Sequence, residues 1–147
     1  MQGTVLALAL RPVKSQAVIV RDTLELSPKT GVIGDHGTSR RRQVSLLDEA
    51  AWKAVCIEVG EELDWTTRRS NVLVSGLDLQ TLVGSQIRLG STLIEVMGEV
   101  VPCHVMDAAK KGLKLALKSE WRGGVYGRVI ESGQVHVGDK ITIQSSQ

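Results

Sequence analysis

Asn71-Val72-Leu73-Val74-Ser75-Gly76 and, a few residues on, Ile87-Arg88-Leu89-Gly90-Ser91-Thr92-Leu93-Ile94-Glu95-Val96-Met97-Gly98 decide the fold class. Each is a short aliphatic, β-branched run closed by glycine, the pattern of a strand that ends in a tight turn. Residues 125–130, 134–137 and 140–143 repeat the pattern, with glycines at 76, 84, 90, 98, 133 and 138 as punctuation. Working back toward the N-terminus, residues 4–10 and 16–26 and the stretch Gly31-Val32-Ile33-Gly34-Asp35 also read as strands. Turn signals at this spacing point to a mainly β chain, barrel or sandwich, with a few helices. Gly138-Asp139 reads as a hairpin turn.

One clear helix interrupts the series at about residues 46–59, with Ser45 as N-cap. Leu47, Ala51, Val55 and Val59 make its apolar stripe, Glu49 and Lys53 an i,i+4 pair outside, and Gly60 its stop. Cys56 falls beside the stripe and reads as core packing. A second helix is expected over residues 107–119, weakened by Gly112.

With 147 residues and no linker, repeat or low-complexity tract, the whole of 1–147 reads as a single domain. There are three Trp, one Tyr and no Phe, so Val, Leu and Ile must build the core. A formal charge of +2 is too small to point to nucleic acid. The N-terminal segment lacks the pattern of a signal peptide. No run approaches the ~18 apolar residues of a membrane span. The expectation is a cytoplasmic protein whose two cysteines are reduced thiols rather than a Cys56–Cys103 disulfide.

Cys103 is the chief chemical candidate. It stands at the end of an apolar run in Val100-Val101-Pro102-Cys103-His104, upstream of Trp121-Arg122-Gly123-Gly124-Val125-Tyr126. As a nucleophile it needs a base, and His104 or His36 could serve. As a thiolate it suits a soft metal. A zinc site of His36, Cys103 and His104 is conceivable, although no CxxC or HxxxH spacing supports it. A thiol merely buried at a strand end is the structural alternative. Asp35-His36 reads either as a polar turn or as part of a site. Arg40-Arg41-Arg42 and Arg68-Arg69-Ser70-Asn71 read either as solvated loops or as oxyanion contacts made by planar guanidinium forks. Gly123-Gly124 either allows a bend or offers backbone N–H groups to an anion.

Taken in order, several segments resemble a MOSC domain, the domain at the C-terminus of molybdenum cofactor sulfurases. They are Gly31-Val32-Ile33-Gly34-Asp35-His36, Arg42-Gln43-Val44-Ser45-Leu46-Leu47 and residues 69–79 from Arg69-Ser70-Asn71. Pro102-Cys103, Arg122-Gly123-Gly124-Val125-Tyr126 and the closing residues 133–141 complete the set. The resemblance implies a barrel-like β fold that binds molybdenum cofactor (molybdopterin). Cys103 would be the catalytic residue, as sulfur carrier or molybdenum ligand. The matching cofactor-binding positions are Asp35, His36, Arg42, Arg69, Asn71, Arg122, Gly123 and Gly124.

Two functions follow from the resemblance. One is a small molybdoenzyme that reduces N-hydroxylated compounds with an external electron-donor protein. The other is a non-catalytic sulfur-carrier or cofactor-delivery module that works with a pyridoxal-phosphate cysteine desulfurase or a molybdoenzyme. A chain of 147 residues leaves no room for the desulfurase, so no pyridoxal phosphate site is expected here. Neither nucleic acid nor membrane is an expected partner.

Overall fold

In the first strand, β1 (Gln2–Leu10), Val5 and Leu8 turn into the main apolar core, and a bulge between Val5 and Ala7 bends the strand. The structure is a computed structural model that describes residues 2–13, 17–36 and 42–145. After β1 come the short strands β2 (Ile19–Arg21), β3 (Thr23–Ser27) and β4 (Gly31–Val32). Then follow β5 (Val44–Asp48), α1 (Glu49–Val59), β6 (Val72–Ser75), β7 (Gln86–Leu89) and β8 (Thr92–Glu99). The chain continues through α2 (Val105–Ala109), α3 (Leu113–Lys118), β9 (Val125–Glu131), β10 (Gly133–His136) and β11 (Lys140–Ser145).

The large sheet runs β11-β7-β8-β9-β5-β6-β1-β2, and β11 pairs back onto β1. That last pairing closes a seven-stranded mixed barrel, with β2 as an extra strand along the far end of β1. Closure leaves no free edge among the seven strands. All its ladders are antiparallel except β5–β6. The strands β10-β3-β4 form a separate small sheet.

The expected barrel is therefore present, and so are most of its strands. The expected helix start is corrected. Residues 44–48 are strand β5, and the helix begins at Glu49 with Asp48 as its cap. The physical reason is that β5 is covered on both faces. Leu46 points into the barrel core and Leu47 lies under the helix layer formed by Trp52, Val55, Leu113 and Leu117. A strand buried on both sides shows a continuous apolar run, which periodicity cannot separate from a helix.

The second helix is two. Lys110 leaves α2 in an extended conformation, φ −159° and ψ 126°, and Gly112, at φ 88°, caps the start of α3, so the chain does not form one helix over 107–119. Gly138-Asp139 is a tight turn closed by a 2.7 Å bond from the His136 N–H to Asp139 Oδ2. It is not a hairpin, because β10 and β11 belong to different sheets.

Asp48 carries a first testable consequence. Its Oδ2 accepts from the Ala51 N–H at 3.0 Å, which caps α1. Burial raises the carboxyl above its ordinary 3.8, and outweighs the lowering effect of the Ala51 bond. The folded state therefore binds this proton more tightly than the unfolded chain does. Through this group, stability falls as pH climbs from the ordinary carboxylate value through the raised one. Asp48→Asn keeps the cap without the buried charge, so it should match or exceed wild type at pH 7 and lose that advantage near pH 4. Asp48→Ala should cost about 1 kcal/mol through the lost cap. Thermal melts at the two pH values check both outcomes.

Candidate functional site

Ser45 on β5 and Tyr126 on β9 are cross-strand neighbours. Their sequence neighbours Leu46 and Val125 fill the barrel core, so by strand alternation Ser45 and Tyr126 face outward. They form the floor of a cleft of about 530 Å³ on the barrel's outer wall. The N-terminal ends of β5 and β6 bring Arg42, Arg68, Arg69 and Asn71 to it. The segment after β1 brings Arg11, the turn after β4 brings Asp35, and the loop from β8 to α2 brings Val101 and Cys103.

Four arginines face one carboxylate among the described residues that line this cleft. Such a field favours an anionic ligand. Arg68 is the most telling of the four. It is only 8% exposed, yet no described carboxylate forms an ion pair with it. Its Nε donates to the Gly123 carbonyl at 3.2 Å and its Nη2 to the Val100 carbonyl at 2.9 Å. Its Nη1 has no acceptor among the described residues and is left to the cleft. Burial lowers the Arg68 pKa, while the nearby Cys103 and Glu99 favour its charged form and Arg42 opposes it. A guanidinium keeps its proton in any case. Arg68 is thus a buried, unneutralised cation fixed by two carbonyls.

The other arginines complete the lining. The Nε of Arg11 is buried without an acceptor among the described residues. Its backbone N–H donates to Asp35 Oδ1 at 2.7 Å, and its carbonyl accepts from the His36 N–H at 2.7 Å. Asp35 therefore ties the end of β1 to the turn after β4. Arg42 stacks its guanidinium over the Tyr126 ring, 5.4 Å from the centroid. Arg69 holds a left-handed backbone, φ 65° and ψ 31°, at the end of the short 3₁₀ turn Trp65–Arg68. A non-glycine residue there is strained by about 1–3 kcal/mol, a cost that clusters at functional sites.

Of the expected site residues, the structure brings Asp35, Arg42, Arg69, Asn71 and Cys103 to one cleft. Within it Asn71 works on the scaffold. Its Oδ1 accepts from the Ser45 N–H at 3.0 Å and hydroxyl at 3.1 Å, and its Nδ2 donates to the Ala9 carbonyl at 3.2 Å. These bonds lock β1, β5 and β6 in register behind the arginines. Cys103 is an exposed free thiol, and Val101 and Val105 are exposed beside it. The reading of Cys103 as a buried structural thiol is therefore excluded. Cys56 is also free and half-buried, with its Sγ 3.7 Å from the Leu63 carbonyl. No group of three metal-ligating side chains occurs among the described residues, so the zinc arrangement of His36, Cys103 and His104 is not formed.

The structure does not bring His36, Arg122, Gly123 or Gly124 into the cleft lining. His36 is exposed just beyond it. Arg122 points to the helix layer, 3.1 Å from Glu58 Oε1, with a further donation to the Ala116 carbonyl at 3.4 Å. Gly123 sits behind Arg68; a Cβ there would fall 2.7 Å from the Val100 carbonyl oxygen. The Gly124 N–H is engaged by the Trp121 carbonyl at 3.1 Å, so it is not offered to an anion. Gly123 acts on the site at one remove, by letting Arg68 lie flat against the chain, while Gly124 lets the turn pack against the Leu46 backbone. Arg40 and Arg41 fall outside the described residues. Sequence reasoning weighed Arg68 as an oxyanion contact within its quartet without singling it out as a site residue, and it passed over Arg11. The signal available for Arg68 was its place beside Arg69, one residue too early in the same quartet.

A family model described as MOSC domain matches residues 33–142. Among solved structures, the YuaD protein of Bacillus subtilis superposes with a TM-score of 0.85 at 23% identity, over 100% of this chain and 98% of that one. YiiM of Escherichia coli gives 0.74 at 18% identity, over 100% and 71%. YiiM of Geobacillus stearothermophilus gives 0.71 at 12%, over 96% and 74%. No curated protein matches the chain. No described helix is long and apolar enough to cross a membrane. With the family model covering most of the chain and the barrel reproduced throughout, this chain belongs to the MOSC domain family.

Proposed function

We propose that the arginine-lined cleft binds molybdenum cofactor, with Cys103 as the thiol that meets its metal or carries sulfur to it. The MOSC family is associated with molybdenum cofactor binding and sulfur transfer. The observation that carries the reading for this chain is the pairing of an exposed thiol with an unneutralised, buried Arg68 in one cleft.

The residues present fit such a group. Molybdopterin carries a phosphate, and guanidinium forks match phosphate oxygens in pairs. Arg68 Nη1 and the buried Arg11 Nε are donors that lack acceptors among the described residues. The thiolate is a soft ligand beside them. Arg11, Arg42, Arg68 and Arg69 would hold the anionic part, Tyr126 would offer a flat apolar wall, and Cys103 would stand at the metal end. When bound, the cofactor supplies two-electron redox chemistry and the sulfur-rich metal environment. The chain itself orients that group, neutralises its charge and presents a thiol.

Reductase activity toward N-hydroxylated compounds would need an external electron-donor protein. A specific observation favours the second role, sulfur carrier or delivery module. Cys103 is exposed and flanked by the exposed apolar side chains of Val101 and Val105. A thiol in that setting is open to a protein partner such as a cysteine desulfurase or an apo-molybdoenzyme. The cytoplasm is the compartment consistent with two free thiols.

Titration with molybdopterin, followed by its fluorescence, tests the binding. Wild type should bind one equivalent. Arg128→Gln, an exposed β9 arginine paired with Glu95 outside the cleft, should bind equally well. Binding that disappears entirely at high salt, or that Arg128→Gln weakens as much as a cleft substitution does, would mean diffuse attraction and no built site.

A further inference from the structure

We propose that Cys103 takes sulfane sulfur directly from small thiosulfonate anions, of which thiosulfate is the simplest, with the cleft arginines gripping the donor's oxyanion end. This rests on Cys103 being the reactive thiol of the cleft, and it names the class of donor that the cleft accepts without a protein intermediary.

The step balances. The Cys103 thiolate attacks the outer sulfur of the donor. An S–S bond forms between Cys103 Sγ and that sulfur. The bond from that sulfur to the sulfonyl centre breaks, and its electron pair leaves with sulfite, or with a sulfinate from an organic thiosulfonate. The thiol proton goes to solvent beforehand. Cys103 ends as a persulfide, and no external oxidant or reductant is used.

In water this reaction is held back because both partners are anions. The cleft removes that obstacle. Arg11, Arg42, Arg68 and Arg69 face it, opposed among the described lining residues by Asp35 alone. Arg68 is fixed in place by the Val100 and Gly123 carbonyls, with Nη1 still without an acceptor among the described residues. It needs no reorganisation to receive an oxyanion. Val100 lies three residues before Cys103, so the same guanidinium that binds the oxyanion also fixes the root of the thiol's loop. Donor charge also increases on the leaving oxyanion as the S–S bond breaks, and a fixed cation stabilises that change. Cys56 has none of these neighbours. It lies in the groove beside α1, lined by the carboxylates of Glu49, Glu61, Glu62 and Asp64 against one described cation, Lys53, a net negative charge that disfavours an anionic donor.

The test is single-turnover loading with thiosulfate, read as sulfite release and as mass gain on intact protein and on its Cys103 peptide. Addition of cyanide then turns the persulfide over to thiocyanate and regenerates the thiol. Wild type should release one sulfite per chain and gain one sulfur atom at Cys103. Cys103→Ser should release none. Arg42→Gln, at an exposed position, should load about tenfold more slowly, the effect of one charge-assisted contact. Arg68→Met should lose at least as much, and Arg128→Gln should load at the wild-type rate. Three results would overturn the proposal: no sulfite above the Cys103→Ser background, sulfur shared equally with Cys56, or Arg42→Gln and Arg68→Met loading as fast as wild type. The same samples are titrated with molybdopterin. Inert thiosulfate with intact molybdopterin binding removes the donor proposal and leaves the cofactor site standing; loss of both removes the site itself.

Discussion

Arg68→Met should weaken molybdopterin binding by about tenfold to a hundredfold, the largest effect expected of any arginine in the chain. The size follows from one charge-assisted contact, roughly 1.5–3 kcal/mol. Arg68 is ranked above Arg42 and Arg69 because it is buried and held by two carbonyls, with no direct ion pair to a described carboxylate and Glu99 acting on it only at longer range. Its Nη1 hydrogens are left to the cleft, and its other contacts hold it still. The substitution removes a buried cation, which is a gain, and leaves the Val100 and Gly123 carbonyls without this donor, a cost of about 1–3 kcal/mol. A small net loss of stability is expected with a large loss of affinity. Arg122→Ala should leave affinity unchanged and cost no more than about 1 kcal/mol of stability, because Arg122 pairs with a half-exposed Glu58 on α1 and does not line the cleft. Thermal melts and molybdopterin titration on both variants separate the two effects. Equal affinity loss in the two would contradict the placement of the anion site at Arg68.

Cys103→Ser should abolish sulfur loading and either lose molybdenum or hold it without the protein sulfur, while leaving the melting temperature almost unchanged. Cys103 is exposed, and surface substitutions away from special features usually fall within about ±0.5 kcal/mol. Oxygen is a poor substitute for a soft thiolate ligand and cannot form a persulfide. Cys56→Ser should behave in the opposite way. Its side chain packs against the layer of Trp52, Val55, Leu113 and Leu117, so a hydroxyl there should cost about 1 kcal/mol without touching the cleft chemistry. Intact mass after thiosulfate loading, molybdenum analysis and a melt distinguish the two cysteines in one set of samples.

The barrel was legible because its strands are short, aliphatic and closed by glycine, as at Gly76 and Gly90, although Gly98 proves to lie inside β8 at a bulge opposite Tyr126. Where the pattern misled, burial was the cause. Leu46 and Leu47 face two different apolar layers, so β5 carries no period-two signal and merges with the helix that follows it. Gly112 was visible as a weak point, but the extended Lys110 that ends α2 and the left-handed Gly112 that starts α3 are properties of the folded chain.

The site was legible in part for a similar reason. Residue type marks Cys103, Arg42 and Arg69 as capable of binding, and the cleft does collect them. Residue type alone does not separate Arg122 from Arg68. Both are arginines beside small residues. One meets Glu58 on the helix layer, and the other meets only carbonyls under the cleft. That difference depends on how the turn at Gly123-Gly124 packs against Val100 and Leu46, contacts that join distant parts of the chain. Asn71 shows the same limit: a polar residue at the cleft whose bonds to Ser45 and Ala9 make it part of the frame.

X-ray absorption at the molybdenum edge, on anaerobically loaded wild type and Cys103→Ser, addresses whether the cleft joins cofactor and thiol. Wild type should retain molybdenum with one more sulfur neighbour than the pterin dithiolene alone provides. The Cys103→Ser protein should either lose the metal or show that sulfur missing. Equal metal loading with the same sulfur count in both proteins would place Cys103 away from the metal and contradict the proposed site.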